Sequence, residues 1–323
     1  MSTLTSTGTT AARAGRPLPA KRGLTKRGLA KRGLAKRVPS QRPSKRRLRG
    51  EDRLHPVVWV FVCAVMAFSL VPFYWLINTS LKKGSSLGQG ELFPSHPTLD
   101  NYLSVFRSAE FLLALRNSVI IAVVTTFVAL VLASFAAYAL ARLKMRRKAL
   151  ILSLILSVTT FPAIAIAAPM FSIWREIGLY DTLLGLIIPK LTFALPLAIY
   201  TLTSFFREIP RELEESAYMD GASPFQAFRK VILPLAVPGL ATTAILVFIS
   251  VWNEFLLAVT LTTSPAARPV PVAIAFFNGT SEFDQPLGTI SAASVIITVP
   301  LVVLVLVCQK RIVSGMTAGA VKG

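Results

Sequence analysis

The chain has 323 residues, 53% of them apolar and 15% charged, with a mean hydropathy of +0.61; this balance fits a polytopic membrane protein and excludes an ordinary pair of soluble domains. The net charge of +20 says little about the body, because sixteen of the thirty-five Lys and Arg precede residue 54. Only two cysteines occur, Cys63 and Cys308, both inside apolar segments without metal-ligand spacing, and they read as small buried hydrophobes.

The first fifty residues contain no Asp or Glu and carry a five-residue repeat, from Lys21-Arg22-Gly23-Leu24-Thr25 through Lys36-Arg37. Like charge, low complexity and Gly and Pro breaks predict a disordered basic tail over 1–55. It reads first as a solvated cytoplasmic tail touching anionic membrane lipid. An organelle transit peptide also fits the acid-free composition. No aromatic platform accompanies the charge, so no nucleic-acid partner is expected. A cleaved secretory signal is disfavoured: the apolar stretch from Pro56 is span length and no small-residue cleavage site follows it.

A bilayer core of about 30 Å needs roughly 20 apolar residues per helix. Six segments qualify, at about 56–79, 118–142, 149–171, 183–205, 239–262 and 287–308. Several carry proline (Pro72, Pro162, Pro169, Pro196, Pro300), which a membrane helix tolerates when neighbours or water re-satisfy the freed backbone. The N-terminal tail, the 142–148 loop, the 206–238 loop and the C-terminal end hold sixteen, five, four and three Lys/Arg, whereas the opposite loops hold four, one and one. The positive-inside rule then puts both termini and the 206–238 loop in the cytoplasm.

That loop is long and punctuated. Pro210 can open a short helix, and Glu212, Glu214 and Glu215 fall near its positive end. Leu213 and Ala217, four apart, share a face, and Gly221 supplies a left-handed stop. A second start follows at once: Ser223 as N-cap, Pro224 at N1 and Gln226 at N3 make a capping box. Phe225, Phe228 and Val231 then recur every three residues until Pro234 closes the helix. Two capped helices about a glycine hinge predict a compact knob. Its bland reading is an interfacial pair lying on headgroups, but an acidic face would be repelled there, which favours a protein partner.

Two charges lie inside predicted spans. Lys190 and Glu254 both fall roughly 10–12 Å below the outer surface at 1.5 Å per residue. Ionisable groups at such depth are usually paired or line water. One reading pairs them; the other lets Lys190 snorkel outward while Glu254 and Asn253 face an aqueous cavity. Thr159, Thr160, Thr192, Ser250 and Asn253 could line a path, yet Ser and Thr also pack helices together, so no substrate site is assigned.

Glu215-Ser216-Ala217, three residues, Gly221, nine residues, then Val231-Ile232-Leu233-Pro234 resembles the loop signature of binding-protein-dependent ABC importer permeases. Ser216 and Val231 depart from the family's Ala and Ile. Trp252-Asn253-Glu254-Phe255-Leu256-Leu257-Ala258 and the terminal Gly315-Met316-Thr317-Ala318-Gly319-Ala320-Val321-Lys322-Gly323 are similar to carbohydrate-uptake permeases, specifically the smaller permease subunit of maltose-type importers. Pro97-Thr98-Leu99-Asp100-Asn101-Tyr102 and Asn117-Ser118 also fit. The resemblance covers about 56–323.

The resemblance implies an all-α, polytopic membrane helix bundle of six transmembrane helices with a cytoplasmic coupling helix. The domains would be the tail 1–55, a permease domain 56–308 containing the coupling loop 206–238, and a cytoplasmic tail 309–323. It implies one permease subunit of an ATP-driven importer in a bacterial-type inner membrane, forming half of the path for a sugar, most simply a di- or oligosaccharide. Glu215, Ser216, Ala217, Gly221, Leu233 and Pro234 would dock an ABC ATPase dimer, with Thr317, Gly319 and Lys322 as a further contact from the tail. A second, homologous permease and an extracytoplasmic solute-binding protein would complete the assembly. The chain has no Gly-x-x-x-x-Gly-Lys-Ser/Thr loop, so it is expected to be no enzyme; ATP and magnesium belong to the separate ATPase. The rivals are an ion- or proton-coupled secondary transporter and a membrane enzyme. The first would show two related halves, which are not evident; the second lacks a convergent cluster, since the only histidines are His55 and His96.

Overall fold

A computed structural model describes residues 56–82, 90–277 and 286–318, with side chains as far as Cys308. The basic tail, Gly319 and Lys322 lie outside the described residues, and of Thr317 only the backbone is described, at the end of a helix. Among the described residues the ordered elements are all helical.

Helix α1 (Pro56–Ser80) stands at the edge. No side chain between Pro56 and Ile77 is buried, and Cys63 is exposed rather than buried, so its neighbours are the surroundings of the bundle. The helix is held at its far end. Asn78 Nδ2 donates to the carbonyls of Glu91 (3.0 Å) and Leu92 (3.1 Å), and the Ser80 and Tyr102 hydroxyls share a hydrogen bond of 2.7 Å. Asn101 Nδ2 donates to the carbonyls of Ser80 (2.8 Å) and Lys82 (2.9 Å).

The short α2 (Asp100–Arg107) leads into α3 (Ala109–Arg142), whose 34 residues begin well before the predicted start at 118. The reason is local: the Ser108 side chain accepts the Phe111 N–H and caps the helix there. The predicted span 149–171 is not one straight helix. α4 (Lys148–Ser157) passes through a 3₁₀ turn at Val158–Thr160 and meets α5 (Ala163–Glu176) at 82°. Phe161 is extended (φ −74°, ψ 126°), as a residue before proline prefers, and Pro162 has no N–H to continue the ladder.

Helix α6 (Leu183–Glu208) packs along α3 as the centre of the bundle. Ala129, Ala133, Ala137 and Ala141 recur every four residues on α3, and Leu186, Lys190, Ala194, Ala198, Leu202 and Phe206 do the same on α6. The alanines of α3 with Ala194 and Ala198 of α6 let the backbones approach closely, which drives packing where water is absent. The polar segment then forms α7 (Glu212–Met219), α8 (Pro224–Ala227), a π-helical turn over Phe228–Ile232 and α9 (Leu233–Leu235). Pro234 does not close the helix: the path runs on to Leu235 and turns 73° into α10 (Val237–Asn253). α10 crosses α6 tightly at Gly239, where a Cβ would sit 2.4 Å from the Phe205 ring.

The predicted span 239–262 also breaks. α10 stops at Asn253, Glu254 is extended (φ −70°, ψ 120°), and α11 (Leu256–Leu261) restarts. A short α12 (Val270–Ala275) and the long α13 (Leu287–Ala318) complete the chain. Among the described residues four helices, α1, α3, α6 and α13, are long and apolar enough to cross a membrane; the α4–α5 and α8–α10 bends raise the number to as many as six if each is one span.

At the end of the bundle remote from α7, loops are clasped together. Asp181 accepts the N–H groups of Thr263 (2.8 Å) and Ser264 (3.0 Å), and Asn117 Nδ2 donates to the carbonyls of Ala266 (2.9 Å) and Arg268 (3.1 Å). Partial burial works to raise the Asp181 pKa, but the bonds from Ser264 and Thr263 and the nearby Arg268 outweigh it and hold the carboxyl below its usual range. A depressed pKa stabilises the fold above the unfolded value and ceases to do so as pH falls through the folded value. Asp181→Asn should therefore lower stability by about 1 kcal/mol at neutral pH, allowing for solvent screening, with the difference from wild type fading as pH falls through the depressed folded-state pKa. Asn tolerates the left-handed backbone at this position (φ 58°), so the substitution isolates the charge. Thermal unfolding in detergent across pH measures it.

Candidate functional site

The α7–α8 segment is a hairpin with two unlike faces. Its turn is built by sequence. Gly221 (φ 83°) donates to Tyr218 O at 3.0 Å, and the next residue, Ala222, donates to Ala217 O at 2.9 Å. This pair of bonds is a Schellman ending that needs a left-handed residue at Gly221. The capping box is formed in full: Gln226 N–H to Ser223 Oγ at 3.3 Å and Ser223 N–H to Gln226 Oε1 at 2.8 Å.

Outward, Glu212, Glu215, Ser216, Met219, Gly221 and Pro234 are exposed, whereas Ala217 and Leu233 are half-buried. Inward, the arrangement departs from an acidic helix with all its charges in solvent. Glu214 is 7% exposed, and its carboxylate accepts the hydroxyls of Tyr138 (2.5 Å) and Tyr218 (2.7 Å) on Oε1. Its Oε2 lies 3.4 Å from Arg142 Nε, and Arg142 Nη2 donates to Ile209 O at 2.7 Å. Partial burial, together with the Glu214 carboxylate, pushes the Tyr218 phenol up from its ordinary value. Beside this cluster the Phe228 ring packs 4.8 Å from Tyr138, 5.4 Å from Phe135 and 6.4 Å from Phe206, centre to centre. The π turn, in which Leu233 N–H reaches Phe228 O, is where that ring is aimed inward.

Lys190 and Glu254 come together on the other half of the bundle. Lys190 is 3% exposed, with Nζ 3.0 Å from Glu254 Oε2 and donating to the carbonyls of Val251 (3.2 Å) and Glu254 (3.1 Å). Those carbonyls lie at the end of α10, where the Val251 carbonyl also accepts the Glu254 N–H at 3.4 Å. Glu254 Oε1 in turn accepts the Leu257 N–H at 2.6 Å, capping the start of α11. The pair thus satisfies both sides of a broken helix. Thr159, Thr160 and Thr192 donate to carbonyls of their own helical turns, as does Asn253 Nδ2 to Ile249 O. These four and Ser250 are all exposed at the surface of the chain.

Residues 129–318 match the family described as the binding-protein-dependent transport system inner membrane component. The chain belongs to this family. As a multi-pass inner-membrane component it is 54% identical over 259 residues to the trehalose transport system permease protein SugB of Mycobacterium tuberculosis, covering 80% of this chain and 94% of that protein. It is 38% identical over 276 residues to the trehalose/maltose transport system permease protein MalG of Thermococcus litoralis, covering 84% and 99%. A chain of a bacterial ABC transporter involved in the import of the acidic polysaccharide alginate superposes with a TM-score of 0.67 at 27% identity, covering 80% of this permease and 96% of that chain. The Glu214, Arg142, Tyr138 and Tyr218 cluster has no place in the loop signature. The sequence signal was present in the spacing of Glu214 and Tyr218, four apart, but three neighbouring acids read as a solvated face.

Proposed function

We propose that this chain is one permease subunit of an ATP-driven importer of a disaccharide, trehalose being the first to try. The hairpin carries the reading: one face is fastened to the central helices and the other is left exposed, as a docking element for a motor would need. Exposed Glu215, Ser216 and Gly221 would meet an ABC ATPase dimer in the cytoplasm, with ATP and magnesium held there. A second permease would supply the other half of the path, and an external solute-binding protein would deliver the sugar. Thr317, Gly319 and Lys322 are assigned to a tail contact with the ATPase. Both termini and the 206–238 loop would face the cytoplasm. The sugar class rests on the relatives named for trehalose and maltose.

The test is reconstitution with the three partners in liposomes and uptake of labelled trehalose. Accumulation should require internal ATP and external binding protein. Uptake that survives without ATP and collapses with the proton gradient would overturn the reading in favour of a secondary carrier.

A further inference from the structure

Phe135, Tyr138 and Arg142 are spaced three and four apart and so share one face of α3, at its last two turns. All three touch the hairpin: Phe135 and Tyr138 through the Phe228 ring, Tyr138 and Arg142 through Glu214. Arg142 also binds Ile209 O, the first carbonyl beyond α6, and Phe206 of α6 meets the same Phe228 ring. α7 is therefore fastened to α3 through the buried Glu214 carboxylate, and the π turn that follows α8 wedges its Phe228 ring against both α3 and α6. Neighbouring Glu214 and Glu215 differ in burial, the first 7% exposed within the cluster and the second exposed to solvent.

We propose that Tyr138, Arg142, Glu214 and Tyr218 form a positioning link that passes displacement of the hairpin into α3 and α6. The link rests on the reading that the exposed hairpin face docks an ATPase. A surface ion pair would be screened and compliant. A buried carboxylate holding two phenols and a guanidinium has few alternative arrangements, and close-packed interiors transmit strain rather than absorb it. Displacement then reaches the centre of the bundle, and α1, joined only near its remote end, takes little of it. The four residues touch no substrate; they act through the helices they tie.

The experiment uses the full complex in liposomes, comparing Glu214→Gln and the double variant Tyr138→Phe with Tyr218→Phe, which keeps both rings. Sugar taken up per ATP hydrolysed should fall about tenfold, while co-purification of the ATPase and its hydrolysis rate stay near wild type. A merely structural role would lower assembly, hydrolysis and uptake together with their ratio unchanged, and that result overturns the link. If Glu214→Gln does not assemble, the tyrosine variant decides alone by the same ratio. Spin labels at Met219 and Leu132, with Cys63 and Cys308 replaced, give a second readout independent of sugar and ATPase. The label–label distance should be narrow in the wild type and broaden in the tyrosine variant; equal widths overturn the proposal. Absence of ATP-dependent uptake in the wild type strikes the functional reading instead, and leaves the label distances to judge the link.

Discussion

Replacing Lys190 by methionine should lower the stability of the solubilised protein by about 3 kcal/mol, the lower part of the range for breaking a buried pair, because Glu254 keeps some access to water. The substitution removes more than one Coulombic contact. Lys190 Nζ lies 3.0 Å from Glu254 Oε2 and also holds the Val251 and Glu254 carbonyls at the end of α10. Methionine fills the space but donates nothing, so the Glu254 carboxylate loses its counter-ion and the Glu254 carbonyl its side-chain donor, while the Val251 carbonyl keeps only the Glu254 N–H. Adding Glu254→Gln should restore more than half of the loss, since the amide oxygen can still accept the Leu257 N–H and no charge remains stranded. A double-mutant cycle by thermal unfolding measures this. Strictly additive losses would show that the two side chains do not act as a pair.

Glu215→Lys and Gly221→Arg should each weaken ATPase association at least about tenfold, equivalent to 1.4 kcal/mol, while leaving the spans inserted. Glu215 is exposed, so reversing its charge changes the solvent-facing side without replacing any member of the Glu214 cluster. At Gly221 a Cβ would meet nothing within 4 Å, so the strain is conformational, on the order of 1–2 kcal/mol for a side chain at φ 83°. The arginine then projects from the tip of the hairpin, where a docked partner would have to sit. Pull-down of the ATPase and uptake in liposomes are the measurements. Wild-type behaviour in both variants would remove the docking role from this hairpin.

The helical class was legible because twenty-residue apolar runs leave few other solutions in a bilayer. The breaks were not. Hydropathy averages over a window and is blind to backbone angles, so 149–171 read as one span although Phe161 and Pro162 turn it by 82°. Proline alone did not mark the place, since Pro72, Pro169, Pro189, Pro196 and Pro300 all remain inside helices. The break at Glu254 has neither Gly nor Pro; its signal was a carboxylate poised to cap Leu257, read instead only as a buried charge. Lys190 was better written. It stands in the four-residue register of Leu186, Ala194, Ala198, Leu202 and Phe206, which places it on the core-facing stripe of α6. The hairpin's caps at Gly221 and Ser223 were readable because each is a local pattern. The partners of Glu214 lie on α3, 72 and 76 positions earlier at Arg142 and Tyr138, and no local pattern reports a meeting at that separation.

The loose attachment of α1 bears on how the protein is made. A helix that buries no side chain from Pro56 to Ile77 has an apolar shaft suited to lipid before the rest of the chain is present. It can leave the ribosome, enter the bilayer and wait there before any of its companions exist. Its docking then depends on Asn78, Ser80 and Asn101, whose bonds form only once the stretch around Glu91 and Tyr102 has been synthesised. Membrane entry and tertiary assembly are thus separable events for this helix.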